Sequence, residues 1–296
     1  RNHPLIAESP VEVAIAGGAR EGAALARARG GNRRGARVAL ISQERRPEAH
    51  GAADFDSRVY AISPGNAGFL SQLGAWDAIP EARRTPVYAM RIYGDDGESL
   101  IEFDAYRTGC SELAWIVEDR LLQDALWRGL ESQDGLTLFS AASLEELEIT
   151  ERHARLSLKD GRKLSAQLVV GADGARSLVR AQAGIPVEER GYGQSAVVAN
   201  FACGRPHRNV AFQWFQGARQ GGAVLALLPQ PGDHVSMVWS TADAEAARLL
   251  ALAPAALSRE VAVASGESAG ELALVTPQRA FPLERLAASR LIAPRV

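Results

Sequence analysis

VAIAGGAREGAAL, residues 13–25, decides how this chain folds. An apolar run beginning at Val11 enters two adjacent glycines and leaves through a helix of small residues. A parallel strand passes its chain in this way to a helix whose first N–H groups can face a phosphate. Of the three places in G-x-G-x-x-G, Gly17 and Gly22 fill the first and third, Gly18 lies between, and Ala19 stands in the second. Small residues at such a turn also serve plain packing, so the segment alone supports a dinucleotide site and an ordinary turn equally. If the Ala19 position needs positive φ, its Cβ costs roughly 1–2 kcal/mol. Glu21 brings negative charge toward any bound pyrophosphate, and Arg20 offsets part of it.

Outward from this turn, RVALI at 37–41 reads as the next parallel strand, and GGNRRG at 30–35 ends the intervening helix. GLTLF at 135–139 and LVVGA at 168–172 supply two more apolar strands, giving a parallel sheet from about 11–16, 37–41, 135–139 and 166–172. The pattern changes at 87–105, where alternating runs flank Asp95-Asp96-Gly97, a hairpin signal. Apolar positions from Ser111 to Gln133 recur at helical spacing, and Asp160-Gly161 marks a second hairpin. Residues 193–241 read as successive strands, and 244–265 as a helix interrupted at Pro254. The fold class is α/β: a discontinuous Rossmann-like lobe with a parallel sheet, and a second α+β lobe whose sheet is largely antiparallel. The last run, RLIAPRV, reads as strand-like and uncapped, the mark of a chain cut short of its natural end.

Composition excludes several classes. A net charge of -2 leaves no electrostatic footprint for nucleic acid. Cys110 and Cys203 are far apart and outside any C-x-x-C, so neither a disulfide framework nor a zinc site is expected, and a reducing cytoplasm fits. His3, His50, His153, His207 and His234 have no ligand spacing, and no metal is expected. The first ten residues lack the apolar core of a signal peptide, and no run is long enough to span a membrane. The expected location is the cytoplasm, in solution or peripheral to the inner membrane.

GADGARSLVR, 171–180, adds the pattern D-G-x-x-S-x-x-R after a buried strand. Asp173 can accept from ribose or ribitol hydroxyls, or it can cap the helix that follows. Gly174 allows close backbone approach, and Ser177 and Arg180 fall one turn apart on that helix. With DSRVYAISPGNAGFLSQLGAW at 56–76 and ELAWIVEDRLLQDAL at 112–126, the chain resembles the FAD-dependent aromatic hydroxylases of the p-hydroxybenzoate hydroxylase type. YGQSAVVANF at 192–201 and LLPQPGDHVSMVWST at 227–241 are similar to the ubiquinone-biosynthesis hydroxylase subgroup.

The resemblance implies an FAD-binding lobe at 11–86 and 106–186, continuing at 280–296, and a substrate lobe at 87–105 and 187–279. It implies FAD held by Gly17, Gly18, Ala19, Gly22, Arg58, Arg120, Gln123, Asp173, Gly174 and Arg180. NAD(P)H would reduce the flavin, O2 would form a C4a-hydroperoxide, and the oxygen would pass to a prenylated phenol in ubiquinone biosynthesis. No catalytic side chain is assigned, because the cofactor carries the chemistry. An insoluble polyprenyl tail implies a hydrophobic groove between the lobes, and contact with a membrane or a biosynthetic complex. Trp214, Phe215, Phe212, Trp239 and Met237 can shape an apolar pocket or simply pack the core. The sequence departs from the family at Ala19 and at Ser42, where family members place the acid that binds the adenosine ribose; Glu44 lies slightly beyond. These departures imply a weakened site that Ala19→Gly and Ser42→Glu would tighten. Two other readings stay open: an FAD oxidoreductase without oxygen insertion, and a non-catalytic scaffold.

Overall fold

The computed structural model describes residues 11–30, 36–47, 54–96, 98–217 and 222–296. The expectations for residues 1–10, for the glycines at 31 and 35, for His50 and for Gly97 fall outside the described residues. In chain order the first elements are β1 (Val11–Ala16), α1 (Arg20–Gly30), β2 (Val38–Ile41), β3 (Val59–Ile62), α2 (Pro64–Gln72), β4 (Thr85–Val87), β5 (Ala89–Tyr93) and β6 (Leu100–Asp104). Next come α3 (Ala105–Thr108), β7 (Ala114–Glu118), α4 (Asp119–Trp127), β8 (Leu136–Phe139), β9 (Leu144–Ile149), β10 (Ala154–Leu158), β11 (Lys163–Gly171) and α5 (Leu178–Gln182). The chain closes with β12 (Val187–Cys203), β13 (Val210–Phe215), β14 (Val224–Gln230), β15 (His234–Ala242), α6 (Asp243–Leu250), α7 (Pro254–Ala264), β16 (Leu272–Leu274) and β17 (Arg279–Ala288).

The first sheet has the order β8-β2-β1-β11-β10-β9. Its four parallel strands are those read from the sequence: β1 pairs with β2 at Ala14↔Ala39 and with β11 at Ala14↔Val169, and β8 joins β2 at Leu40↔Leu138. The hairpin at Gly161, φ +86°, adds β10 and then β9 antiparallel. Both faces are covered. Ile15, Val38 and Leu40 pack against α1 and α4, while Ala14, Ala39 and Ile41 pack toward β9, β10 and α5. Double-sided burial is why these strands read as continuous apolar runs.

The second sheet runs β16-β12-β15-β14-β13-β5-β6, with β17 also on β12. It is antiparallel except where β13 joins β5 in parallel, so the hairpin at 87–105 forms the far edge of the sheet made by the later strands. Helices α6 and α7 cover one face with Leu249, Leu257 and Val261 against Phe201, Leu225 and Met237.

Three expectations need correction. The helical reading of 111–133 fails at its start, where β7 forms a small sheet with β3 and β4. Ile116 packs toward Ala211 of the second lobe and Val117 toward Trp127 of the first, so both strand faces are buried and mimic a helical period. The ribbon at 279–288 pairs with β12, at Val197↔Ala280 for example, and so belongs to the second sheet rather than to a continuation of the first lobe. RLIAPRV is not a strand: Leu291 and Ile292 are exposed, and the segment meets the first sheet where Val169 N–H donates to Arg295 O at 2.8 Å and Val296 packs beneath it.

Candidate functional site

The strand-helix turn is held by close backbone contacts. Gly17 has φ of +113°, and a Cβ on it would lie 2.0 Å from Ala172 O. A Cβ on Gly18 would meet Ser42 Oγ at 2.2 Å, and one on Gly22 would lie 1.8 Å from Gly17 O. Gly17 N–H donates to Ile41 O at 2.8 Å and Ala172 N–H to Ala16 O at 2.7 Å, which fixes the turn between the ends of β2 and β11. Positive φ falls on Gly17 and not on Ala19. Ala19 O instead accepts from Ala23 N–H at 2.9 Å, the first hydrogen bond of α1. The strain expected at the second position is therefore absent, and Ala19→Gly is expected to leave dinucleotide affinity within about twofold in a fluorescence titration, since no left-handed residue is relieved.

A cleft of about 830 Å³ opens over this turn, within the range of small-molecule sites. Gly17, Gly18 and Ala19 line its floor, with Asp173 and Gly174, φ +82°, across from them. Gly22 is buried beneath and acts through helix-strand packing. Ser42 is buried against Gly18, lines the same cleft and accepts Glu44 N–H at 3.2 Å. Glu44, two residues further on, carries an exposed carboxylate that lines this cleft.

A second cleft of about 500 Å³ adjoins the first, and Glu44 and Arg58 line both. Arg120 and Gln123 line the second, with Arg279 and Phe281 from β17. Gln123 Nε2 donates to Glu44 Oε2 at 3.1 Å. Arg58 lies over the Phe281 ring at 5.1 Å, and Arg120 N–H donates to Asp56 Oδ2 at 3.3 Å. Segments separated by more than sixty residues thus converge at one seam. Arg180 lines neither cleft; its N–H donates to Ser177 Oγ at 2.9 Å inside α5.

Asp173 lines the first cleft and also holds the start of the next helix. Oδ2 accepts Leu178 N–H at 2.7 Å and Val179 N–H at 3.1 Å, and Oδ1 accepts the Ser177 hydroxyl. Three of about four lone-pair sites are taken by the start of α5, so the carboxylate caps a helix and keeps one site toward the cleft. Asp173→Ala is expected to destabilise the apo-protein by about 1–2 kcal/mol, read as a lower denaturant midpoint. An unchanged midpoint with flavin binding lost would show a purely ligand-binding carboxylate.

The side-chain charges at the turn largely offset one another: Arg20 lies 3.9 Å from Glu21, which is largely exposed. Arg20 pairs with Asp119 Oδ1 at 2.5 Å and lies 4.2 Å over the Tyr60 ring. Burial opposes its charge, but Asp119 together with Tyr60 and Glu21 raises its pKa above the ordinary value. The N-terminus of the 11-residue α1 adds the positive end of a helix dipole. The residues present fit FAD: glycines whose Cβ positions the fold itself occupies, a helix N-terminus for the pyrophosphate, a carboxylate at the end of β2, and Arg58, Arg120 and Gln123 along the seam.

The expected hydrophobic inter-lobe groove is not what the described residues form; the seam is lined mainly by charged side chains. Trp214, Phe215 and Trp239 line a separate hollow of about 1640 Å³ beside α6 and α7. Val197 is paired with Trp239, whereas Asn200, three residues on, sends Nδ2 to Asp56 O at 2.8 Å. Alternation along β12 places the tryptophan on the helix-covered face and the asparagine on the face toward the first lobe. Met237 is core, and Phe212, Trp214 and Tyr93 stack on one another. Among the described residues no cluster of metal-ligating side chains occurs. Arg279 and Trp127 have no local sequence signal that marks them as part of the site, whereas Glu44 stands just beyond the position of the family's acid.

A parallel sheet ending in a glycine turn, closed at its seam by a second antiparallel sheet, defines the class: the fold of FAD-dependent monooxygenases. The chain belongs to the FAD binding domain family, whose model matches residues 10–295. It is 33% identical over 290 residues to the ubiquinone hydroxylase UbiL of Rhodospirillum rubrum, covering 98% of this chain and 66% of that protein. It is 33% identical over 289 residues to the 3-demethoxyubiquinol 3-hydroxylase of Escherichia coli, covering 96% and 71%. The crystal structure of PqsL, a probable FAD-dependent monooxygenase from Pseudomonas aeruginosa, superposes with a TM-score of 0.77 at 22% identity, covering 97% of this chain and 77% of that one. The chain thus spans about two thirds of the length of the first two relatives.

Proposed function

We propose that this chain forms the FAD-binding and substrate-sheet part of a monooxygenase that hydroxylates a prenylated phenol in ubiquinone biosynthesis, with NAD(P)H as reductant and O2 as oxidant. The observation that carries the cofactor assignment is the meeting of the two clefts at Glu44 and Arg58, one continuous groove from the glycine turn to the lobe seam. The substrate class is supported by 33% identity to two relatives whose names place them on ubiquinone and demethoxyubiquinol.

Bound flavin supplies the redox chemistry and the activation of oxygen. The chain's own residues bind and orient. The amides at the start of α1 hold the pyrophosphate, Glu44 accepts a ribose hydroxyl, and Arg58 and Arg120 donate along the seam. The Asn200 amide ties β12 to the Asp56 loop, which keeps the two lobes in register around the groove. Among the described residues no helix is long and apolar enough to cross a membrane; a prenylated substrate is met at the membrane surface, from the cytoplasm.

In the natural full-length protein, FAD is expected to bind stoichiometrically, and a prenylated phenol to stimulate NAD(P)H oxidation with labelled oxygen from O2 entering the ring. Stimulated oxidation without labelled product would establish an oxidoreductase instead. Absence of flavin binding would leave the scaffold reading. Turnover of small benzoates but not prenylphenols would overturn the substrate class.

A further inference from the structure

Trp127, the last residue of α4, is buried, and its indole Nε1–H donates to Gly18 O at 2.8 Å across 109 positions of sequence. The ring also occupies the space a side chain on Gly18 would need, 3.0 Å from the Cβ position. The indole is itself held rigid. Arg27 of α1 donates through Nη1 to Ala125 O at 3.0 Å, Leu126 O at 3.3 Å and Arg128 O, closing the end of α4. In return Gln133 Nε2 donates to Arg27 O at 2.9 Å, closing the end of α1. Carbonyls at the end of each helix are thus satisfied by α1 or by the segment that follows α4.

The Gly18–Ala19 peptide is trans, so its C=O and N–H point in opposite directions within one rigid plane. With the carbonyl drawn into the core by Trp127, the Ala19 N–H is turned the other way, toward the cleft that Ala19 lines. In the glycine-rich pattern this second place ordinarily belongs to glycine. Here the residue is alanine with an ordinary φ, and the aim of its amide is set by a distant indole rather than by a flexible backbone.

We propose that Trp127 is a positioning residue for the cofactor diphosphate, acting through the Gly18–Ala19 peptide to hold one amide donor on the pyrophosphate. The proposal rests on the assignment of the cleft to FAD. It also gives α4 a double role, since the same helix carries Arg120 and Gln123 to the other end of the groove.

The test compares Trp127→Phe with the wild type, using FAD, ADP and riboflavin as separate probes by calorimetry or flavin fluorescence. ADP carries the diphosphate and riboflavin the flavin without any phosphate. Wild-type protein that binds neither FAD nor ADP would refute the cleft assignment itself. If the wild type binds both, Trp127→Phe is expected to weaken FAD and ADP by about tenfold, the size of one lost charge-assisted donor, and riboflavin by less than twofold. Equal affinities for ADP in the two proteins would overturn the proposal, and so would equal losses for ADP and riboflavin, which mark a general loosening of the fold. Should Trp127→Phe not fold, the wild type decides. Of its five tryptophans, Trp127 is, among the described residues, the one whose indole N–H donates to the glycine turn. A slowly exchanging indole N–H resonance that shifts on adding ADP supports the proposal, and no shift in any of the five overturns it.

Discussion

Gly22→Ala is expected to lower stability by roughly 3 kcal/mol, at the upper end of overpacking costs, and to abolish measurable FAD binding. Alanine normally improves a helix position by up to about 1 kcal/mol over glycine. At Gly22, however, the new Cβ would lie 1.8 Å from the Gly17 carbonyl oxygen, a backbone atom that cannot move without opening the turn. Gly17 in turn lies against Ala172, so the displacement reaches the end of β11. Gly68 is the internal control. It lies in α2 with nothing within 4 Å of its Cβ position, and Gly68→Ala is expected to raise stability by a few tenths to about 1 kcal/mol. Chemical denaturation of both variants reads the contrast directly. A more stable Gly22→Ala would mean that α1 does not seat on β1 as described.

Arg83→Met is expected to cost about 3–5 kcal/mol, because it leaves a carboxylate buried without its counter-ion. Glu118, at the end of β7, is 3% exposed and accepts from Arg83 Nε at 2.8 Å and from Nη2 at 2.5 Å. Its other oxygen accepts Asp56 N–H at 2.6 Å, and Arg83 also donates to Asp54 O at 3.0 Å. The pair therefore pins the loop that carries Asp56 and Arg58 to the start of α4, where Asp119, Arg120 and Gln123 begin the second cleft. Stability and flavin affinity should fall together. Adding Glu118→Gln removes the stranded charge yet keeps an acceptor for Asp56, and the double variant is expected to recover most of the loss. If the second change only adds to the first, the pair is not coupled as the geometry requires.

How much of the site could be read in advance differs from residue to residue. Gly17 and Gly22 were legible because positive φ and close backbone approach are demands that only glycine meets, and the residue type states the demand. Arg58, Arg120 and Gln123 were legible only through family resemblance; acids close in sequence offer each arginine an ordinary ion pair, whereas the fold sets Arg58 on Asp119 and Arg120 on Asp56. Asp173 showed both of its roles in the same eight residues, and the observed hydrogen bonds favour the cap. At 114–118, Ile116 and Val117 face two different cores, so strand burial and helical period gave the same apolar pattern.

By itself the sequence determined the parallel sheet, the glycine turn, the hairpins and the change to an antiparallel second lobe. Each of these follows from local preferences: apolar runs, a two-residue alternation, and turns that need glycine. Only the tertiary structure decided that Glu44 and not position 42 offers the carboxylate, that β17 leaves the first lobe for β12, and that Trp127 reaches Gly18. These depend on which distant segments meet once the sheets are packed. A side chain's partner across a hundred residues is fixed by the packing of the whole chain, and nothing in its immediate sequence encodes it.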